Sequence, residues 1–310
     1  MLRTVIAVLA ALAIPNAVIG QAIPRGPEIA PEFRLKGDMV SIPFVMVREF
    51  PFVEAEINGV KGKLLFDTGA SEALSLNQNH LQLPEGRVIG QGRFGSGQSY
   101  EMVLRPGVDN VRLPGGLTYN RVTTIRSQDA RQLERITPDF LGWLGYWFWD
   151  GYAVKFDYKA SKATFYKGGP KAFLKGETVV AAIPFETPIL PNDPVLTAKI
   201  GDTDFDTVLD TGQNGNVFAD AHTLERLEAS GALKAVAGED GLVDIDAMRF
   251  RTGPVIHLAK VATHPIADST PFAAAIGLGS PPIMSLGYVF LKQYKTVWDY
   301  PNKTIYLLKR

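Results

Sequence analysis

LLFDTGASEALSL, Leu64 to Leu76, sets one aspartate between an apolar run and a Gly-Ala-Ser turn. TVLDTGQNGNVFA, Thr207 to Ala219, repeats the tripeptide under the same kind of apolar lead-in. Alone, either stretch is a strand running into a turn, because Asp and Gly are residues that turns prefer. Chance supplies a given tripeptide at roughly one position in several thousand, so two copies in matching contexts ask for a common cause. Upstream, EINGVKGKLLFDTG (Glu56 to Gly69) lies over KIGDTDFDTVLDTG (Lys199 to Gly212). Each reads as a hairpin, with Asn58-Gly59 or Gly201-Asp202 at the turn and a second strand that delivers the aspartate at its end.

The match continues downstream. GYWFWDGYAVKFDY (Gly145 to Tyr158) lies over GYVFLKQYKTVWDY (Gly287 to Tyr300). From the DTG aspartate to the closing aspartate is 90 residues in the first copy (157 − 67) and 89 in the second (299 − 210). Two blocks in the same order at nearly constant spacing define a duplicated lobe. The lobes run over residues 37–167 and 183–310, joined by a linker, 168–182, that opens on Gly168, Gly169 and Pro170. Residues 21–36, with Pro24, Pro27 and Pro31, read as an extended lead-in. Short apolar runs broken by Gly, Pro, Asn and Asp make the chain mostly β. The clearest helix is in the second lobe, capped by Asp220 and striped by Leu224, Leu227 and Leu233.

Composition narrows the function classes. The 310 residues, 46% apolar and 21% charged, suit a globular chain of two domains. Thirty-two basic residues balance thirty-two acidic ones, which gives no reason to expect nucleic acid or a charge-held membrane surface. Arg3, the apolar run Val5 to Ile14 and the small residues near Ala17, Gly20 and Ala22 read as an export signal over residues 1–20. The chain has no cysteine, which removes thiol chemistry and disulfides and, with export, fits a periplasmic or secreted protein. No stable membrane insertion is expected once the signal is removed. His80, His222, His257 and His264 show no metal-ligand spacing. GRFGSGQ and GLGS lack the lysine of a phosphate loop, so no metal and no cofactor is implied.

The residues resemble the aspartic peptidases in their two-lobe, pepsin-like arrangement, over nearly the whole chain after the leader. The DTG pair carries the likeness, helped by Trp143-Leu144-Gly145 and Ser285-Leu286-Gly287 late in each lobe. Ser285 departs from the apolar-apolar-Gly pattern. LLFDTGAS is closer to the retroviral type of motif, and bacterial exported relatives combine it with the pepsin-like duplication. The resemblance implies two barrel-like lobes around a central cleft, with Asp67 and Asp210 brought together there. It also implies that Thr68 and Thr211 cross-link the two loops through their hydroxyls.

The chemistry has its own logic. Hydrolysing a peptide bond needs a base for the attacking water and an acid for the carbonyl oxygen. Two carboxyls within hydrogen-bonding reach share one proton and supply both, since like charges push one pKa up. Gly69 and Gly212 let the backbone approach those carboxyls. Ala70 and Gln213 stand where a hydroxyl is usual in pepsins, with Ser71 or Asn214 as substitutes; fewer bonds to the ionised form favour activity in mild rather than strong acid.

A flap is expected in GQGRFGSGQSYEMVL, Gly90 to Leu104, where FGSG resembles the pepsin flap and Phe94, Gly95 and Tyr100 are the candidate substrate contacts. Asp157 and Asp299 end strands before turn residues and read as structural. The aromatic cluster Trp143, Trp147, Phe148 and Trp149 reads as core packing. The expected function is a monomeric aspartic endopeptidase acting on peptide or protein substrates. A peptide-binding or inhibitory protein that keeps the cleft but does not turn over is the alternative.

Overall fold

The computed structural model describes residues 28–93, 98–266, 273–274, 276–278 and 283–310. The chain is mostly β and duplicated, in three sheets. The first lobe is an eight-stranded sheet in the spatial order 45–47, 50–57, 60–66, 140–144, 74–77, 117–128, 99–113, 87–93. The second is a seven-stranded sheet in the order 195–200, 203–209, 283–286, 217–220, 256–266, 242–250, 233–235. A six-stranded sheet joins them, with 39–43, 162–166 and 153–157 from one half beside 295–299, 304–308 and 179–184 from the other.

The two hairpins before the aspartates form as their turn residues dictate. Ile57 pairs with Val60 around Asn58 (φ 51°) and Gly59 (φ 81°), both left-handed, as a tight right-twisted hairpin requires. Ile200 pairs with Thr203 around Gly201 (φ 56°) and Asp202. The strand ending at Phe66 then runs parallel to Phe140–Leu144, with Phe66 opposite Leu144. Its counterpart ending at Leu209 runs parallel to Ile283–Leu286, with Leu209 opposite Leu286. Parallel neighbours with a long crossover between them bury these strands at the centre of each lobe.

The late glycine signatures follow from this crossing. The Asp67 amide donates to Leu144 O at 3.1 Å and the Asp210 amide to Leu286 O at 3.0 Å. A Cβ on Gly145 would fall 2.2 Å from Glu72 O, and one on Gly287 would fall 2.2 Å from Gln213 O. Only glycine lets the later strand end pass this close to the DTG loop.

The core departs from the expected boundaries in two places. From Ile29 onward the expected lead-in is part of the first lobe: Phe33 is fully buried, its ring 4.7 Å from Tyr119 and 4.9 Å from Phe148. The Leu35 amide donates to Phe148 O at 2.7 Å and the Tyr119 hydroxyl to Arg34 O at 2.8 Å. Prolines suggested a spacer, but Ile29, Phe33 and Leu35 are apolar enough to be worth burying. The stretch 168–182 likewise holds a short helix, Pro170–Phe173, with Phe173 buried, and most of the edge strand Val179–Pro184.

The predicted helix spans Ala221–Ala229 with Asp220 as its cap, and Leu227 is buried. Leu233 is not on it: the chain leaves the helix at Ser230 and Gly231 (φ 70°), and Leu233 starts a strand. Asp220 binds more than the helix, accepting from Thr223 N at 3.0 Å and from Ile283 N at 2.8 Å. Burial pushes this carboxyl up, yet the bonds from Thr223 and Ile283 outweigh it and hold it below its ordinary value. Asp220→Ala is expected to cost about 2 kcal/mol at pH 7, by loss of a cap and of a buried acceptor. A depressed folded pKa adds stability above the unfolded value that is lost as pH falls through the folded one. The deficit should therefore shrink in urea titrations below about pH 3.

Candidate active site

Asp67 and Asp210 leave matching strand ends and meet between the lobes, 0% and 5% exposed. Gly69 N donates to Asp67 Oδ1 at 2.8 Å and Ala70 N to the same oxygen at 3.1 Å, while Gly212 N donates to Asp210 Oδ1 at 2.7 Å. The loop of one lobe also touches the carboxyl of the other: a Cβ on Gly69 would lie 3.1 Å from Asp210 Oδ2. The carboxyls are close enough to share a proton. Without that proton no donor faces Asp67 Oδ2, a buried oxygen with no other partner.

Burial first, and the charge of Asp210 second, push Asp67 well above the carboxylate range; burial also raises Asp210. The backbone bonds from the glycines pull the other way and do not win. The sequence argument for raised pKa values rested on missing hydroxyls, whereas desolvation is the larger cause.

A reciprocal threonine lock holds the loops. Thr68 N donates to Thr211 Oγ1 and Thr211 N to Thr68 Oγ1, both at 3.0 Å, and Thr211 Oγ1 donates to Phe66 O at 2.9 Å. All of it is buried, where an unmade bond is expensive.

Of the remaining predicted residues, Ser71 donates to Glu72 Oε1 at 3.1 Å rather than to Asp67. Asn214 accepts from Asn216 N at 3.2 Å, so neither stands in for a pepsin hydroxyl on the dyad. Phe94 and Gly95 lie outside the described residues. Tyr100 is buried among Phe50, Met102, Phe140 and Trp143, its ring lying over Gly92 on the paired strand, and it is within electrostatic reach of Glu72, Arg126 and Asp67. Alternation put it on the inner face, which the glycine-rich setting concealed. Trp143, Phe148 and Trp149 are buried and Trp147 partly so.

Gln213 and Ser285, two departures from the family pattern, are partners. Ser285 Oγ donates to Gln213 Oε1 at 2.5 Å, and Gln213 Nε2 donates to Ser285 O at 2.9 Å and Asn216 O at 2.8 Å. The glutamine is fully buried within its own lobe and directs no group at the dyad. Gln213→Ala should destabilise the fold by about 2 kcal/mol by leaving Ser285 without its partner. In Ser285→Ala the second loss should be smaller, and a double-mutant cycle on Tm measures the coupling.

No family model matches the chain, and no curated protein matches it. Many solved structures do. One, the crystal structure of an aspartic proteinase from Irpex lacteus, superposes with a TM-score of 0.57 at 13% identity, over 87% of this chain and 97% of that one. The fold is that of a pepsin-like aspartic proteinase. The six-stranded sheet carries residues that sequence reasoning passed over. Tyr158 and Tyr300, which follow the repeated closing aspartates, are buried within electrostatic reach of Asp210. Asp157 and Asp299 themselves bind turn amides, Lys159 N and Ala160 N in one copy and Asn302 N in the other.

Two further groups were missed. Glu72, next in line after the DTG turn, forms a buried ion pair with Arg126 beside Tyr100. Asn192 donates from Nδ2 to Thr68 O at 3.2 Å and to Gly69 O at 3.1 Å, tying the second half of the chain to the first lobe's DTG loop. The sequence signal for it was the proline-bracketed PNDP, residues 191–194. Among the described residues no cluster of His, Cys, Asp or Glu is arranged to hold a metal ion.

Proposed function

We propose that this chain is an aspartic endopeptidase in which Asp67 and Asp210 activate one water against a peptide carbonyl. The observation that carries the reading is the dyad itself: two buried carboxyls from equivalent strand ends, locked by Thr68 and Thr211, with raised pKa values. In the singly protonated pair the ionised carboxylate takes a proton from the water as its oxygen bonds to the carbonyl carbon. The other carboxyl gives its proton to the carbonyl oxygen, forming a neutral tetrahedral diol. Collapse reverses the roles, with the diol proton returning to the pair and a proton passing to the amide nitrogen as the C–N bond breaks. Burial strengthens each transfer by keeping bulk water from screening the charges.

Both carboxyls come from one chain, which supports a monomer as the working unit. Residues 1–20 are proposed to direct export, supported by their charge and apolar pattern. Among the described residues no helix is long and apolar enough to cross a membrane.

Incubation with denatured proteins, with and without a statine-type transition-state analogue, tests the proposal. Cleavage blocked by the analogue is expected; binding of peptide without cleavage would contradict it. The raised pKa values also place the singly ionised pair in mild acid. The Asp210 carboxyl, raised to about 6, sets the acid limb, so the pH–rate profile should climb through about pH 6, and a maximum below about pH 3 would oppose the reading.

A further inference from the structure

Asn192 and Asp193 sit in TPILPNDPVL, Thr187 to Leu196, where three prolines limit the backbone. Pro194 holds Asp193 extended, and the Asp193 amide donates to Leu190 O at 3.3 Å. Asn192 is fully buried. Its Nδ2 reaches Thr68 O and Gly69 O in the opposite lobe and also donates to Asp193 Oδ1 at 3.0 Å. One amide therefore ties the Asp67 loop to a third carboxyl. From below, the Tyr300 hydroxyl donates to Asn192 O at 3.1 Å, fixing the segment to the central sheet.

Asp193 is 3% exposed, and its second oxygen, Oδ2, is buried with no partner. The groups facing it are Asp210 from the second DTG loop, Tyr300 from the central sheet and Asn192 beside it; none is a cation. None of the ion pairs among the described residues includes Asp193. A buried carboxylate with one amide donor, no cation and an acid for a neighbour is expensive, and the cheap state carries a proton.

We propose that Asp193 is a third proton-holding carboxyl of the site, positioned by Asn192 beside the Asp67–Asp210 pair and titrating with it. It need not touch substrate. In the neutral state it spares the pair a third charge. As pH rises, its ionisation and that of the pair oppose each other, so the pair keeps its shared proton to higher pH. Burial and the charge of Asp210 raise the Asp193 pKa well above the carboxylate range, in agreement with this placement. The proposal rests on the endopeptidase reading only for its effect on rate; the proton coupling stands without turnover.

The test measures Tm against pH for the parent, Asp193→Asn, Asp210→Asn and the double variant. Asparagine keeps the Oδ1 acceptor for Asn192, so the fold is retained. A carboxyl whose folded pKa is raised costs the folded state nothing below the unfolded pKa and progressively more above it. Asp193→Asn should thus raise Tm by about 2–6 °C at pH 7.5 and leave it unchanged near pH 3. In the Asp210→Asn background the gain at pH 7.5 should be smaller, with the part due to burial remaining. Equal gains at both pH values, or the same gain with and without Asp210, would overturn the proposal. Where turnover is present, the alkaline limb of kcat/KM should move down by about half a unit or more in Asp193→Asn. An alkaline limb that stays in place would restrict Asp193 to a packing role and contradict its titration with the pair. Loss of turnover in the parent with the Tm pattern intact would count against the endopeptidase reading alone.

Discussion

Asp67→Asn and Asp210→Asn are each expected to make the folded protein more stable at neutral pH, by about 1–3 kcal/mol, while removing catalysis. The sign follows from burial. Asp210 is pushed from 3.8 to about 6, and Asp67 is raised as well, chiefly by desolvation and then by its partner's charge. With folded pKa values above the unfolded ones, both states are fully protonated and nothing is lost below about pH 3.8. Stability falls as pH climbs from there through the folded values, because the unfolded chain releases protons that the folded pair retains. An asparagine at either position removes one ionisation and relieves the other. Chemical denaturation of parent and variants at pH 3 and pH 7.5 should give a gain at the higher pH alone. A loss of stability at pH 7.5 would mean that the carboxyls hold the lobes together rather than straining them.

The second large effect lies far from the dyad. Phe33→Ala is expected to cost about 3–5 kcal/mol, enough to unfold the first lobe at moderate temperature. Phe33 is fully buried between Tyr119 and Phe148, and the strand carrying Tyr119 runs on to Arg126, which is paired with Glu72 beside the DTG turn. Cleaving the chain before Ile29 should leave Tm unchanged within about 2 °C, whereas cleaving after Lys36 should abolish the cooperative transition. A proteolytic step that leaves a folded product is therefore expected to spare Phe33 and Leu35. An active product beginning after Lys36 would contradict the packing described.

Much of the fold was legible because duplication is written in spacing. The 90- and 89-residue intervals and the matched hairpins place Asp67 and Asp210 at equivalent strand ends, and nothing but the sequence is needed to see it. What stayed hidden depends on direction rather than identity. Ser71 has the right chemistry for a site but turns to Glu72, while Tyr100 packs in the core within electrostatic reach of Asp67. Gln213 and Ser285 each read as a defect when taken alone. Within the second lobe the turn after Asp210 sets Gln213 against Ser285 on the strand beside it, and the two departures form one hydrogen-bonded pair.

Asn192 and Asp193 show the limit most sharply. Neither lies in a repeated block, so the internal comparison that exposed the dyad passed over them. The aligned first-lobe positions are Glu49 and Phe50; Glu49 accepts from Gly215 N across the lobes at 3.0 Å, much as Asn192 donates across them. The prolines of residues 21–36 misled, because proline marks restricted backbone and says nothing of burial.

The most direct measurement is the cleavage rate of a denatured protein at about pH 6 by the parent, Asp67→Asn and Asp210→Asn, each shown to be folded. The account predicts new termini with the parent and a fall of at least about a thousandfold in both variants, since each loses one of the two proton-transfer roles. Turnover that survives either substitution would contradict it.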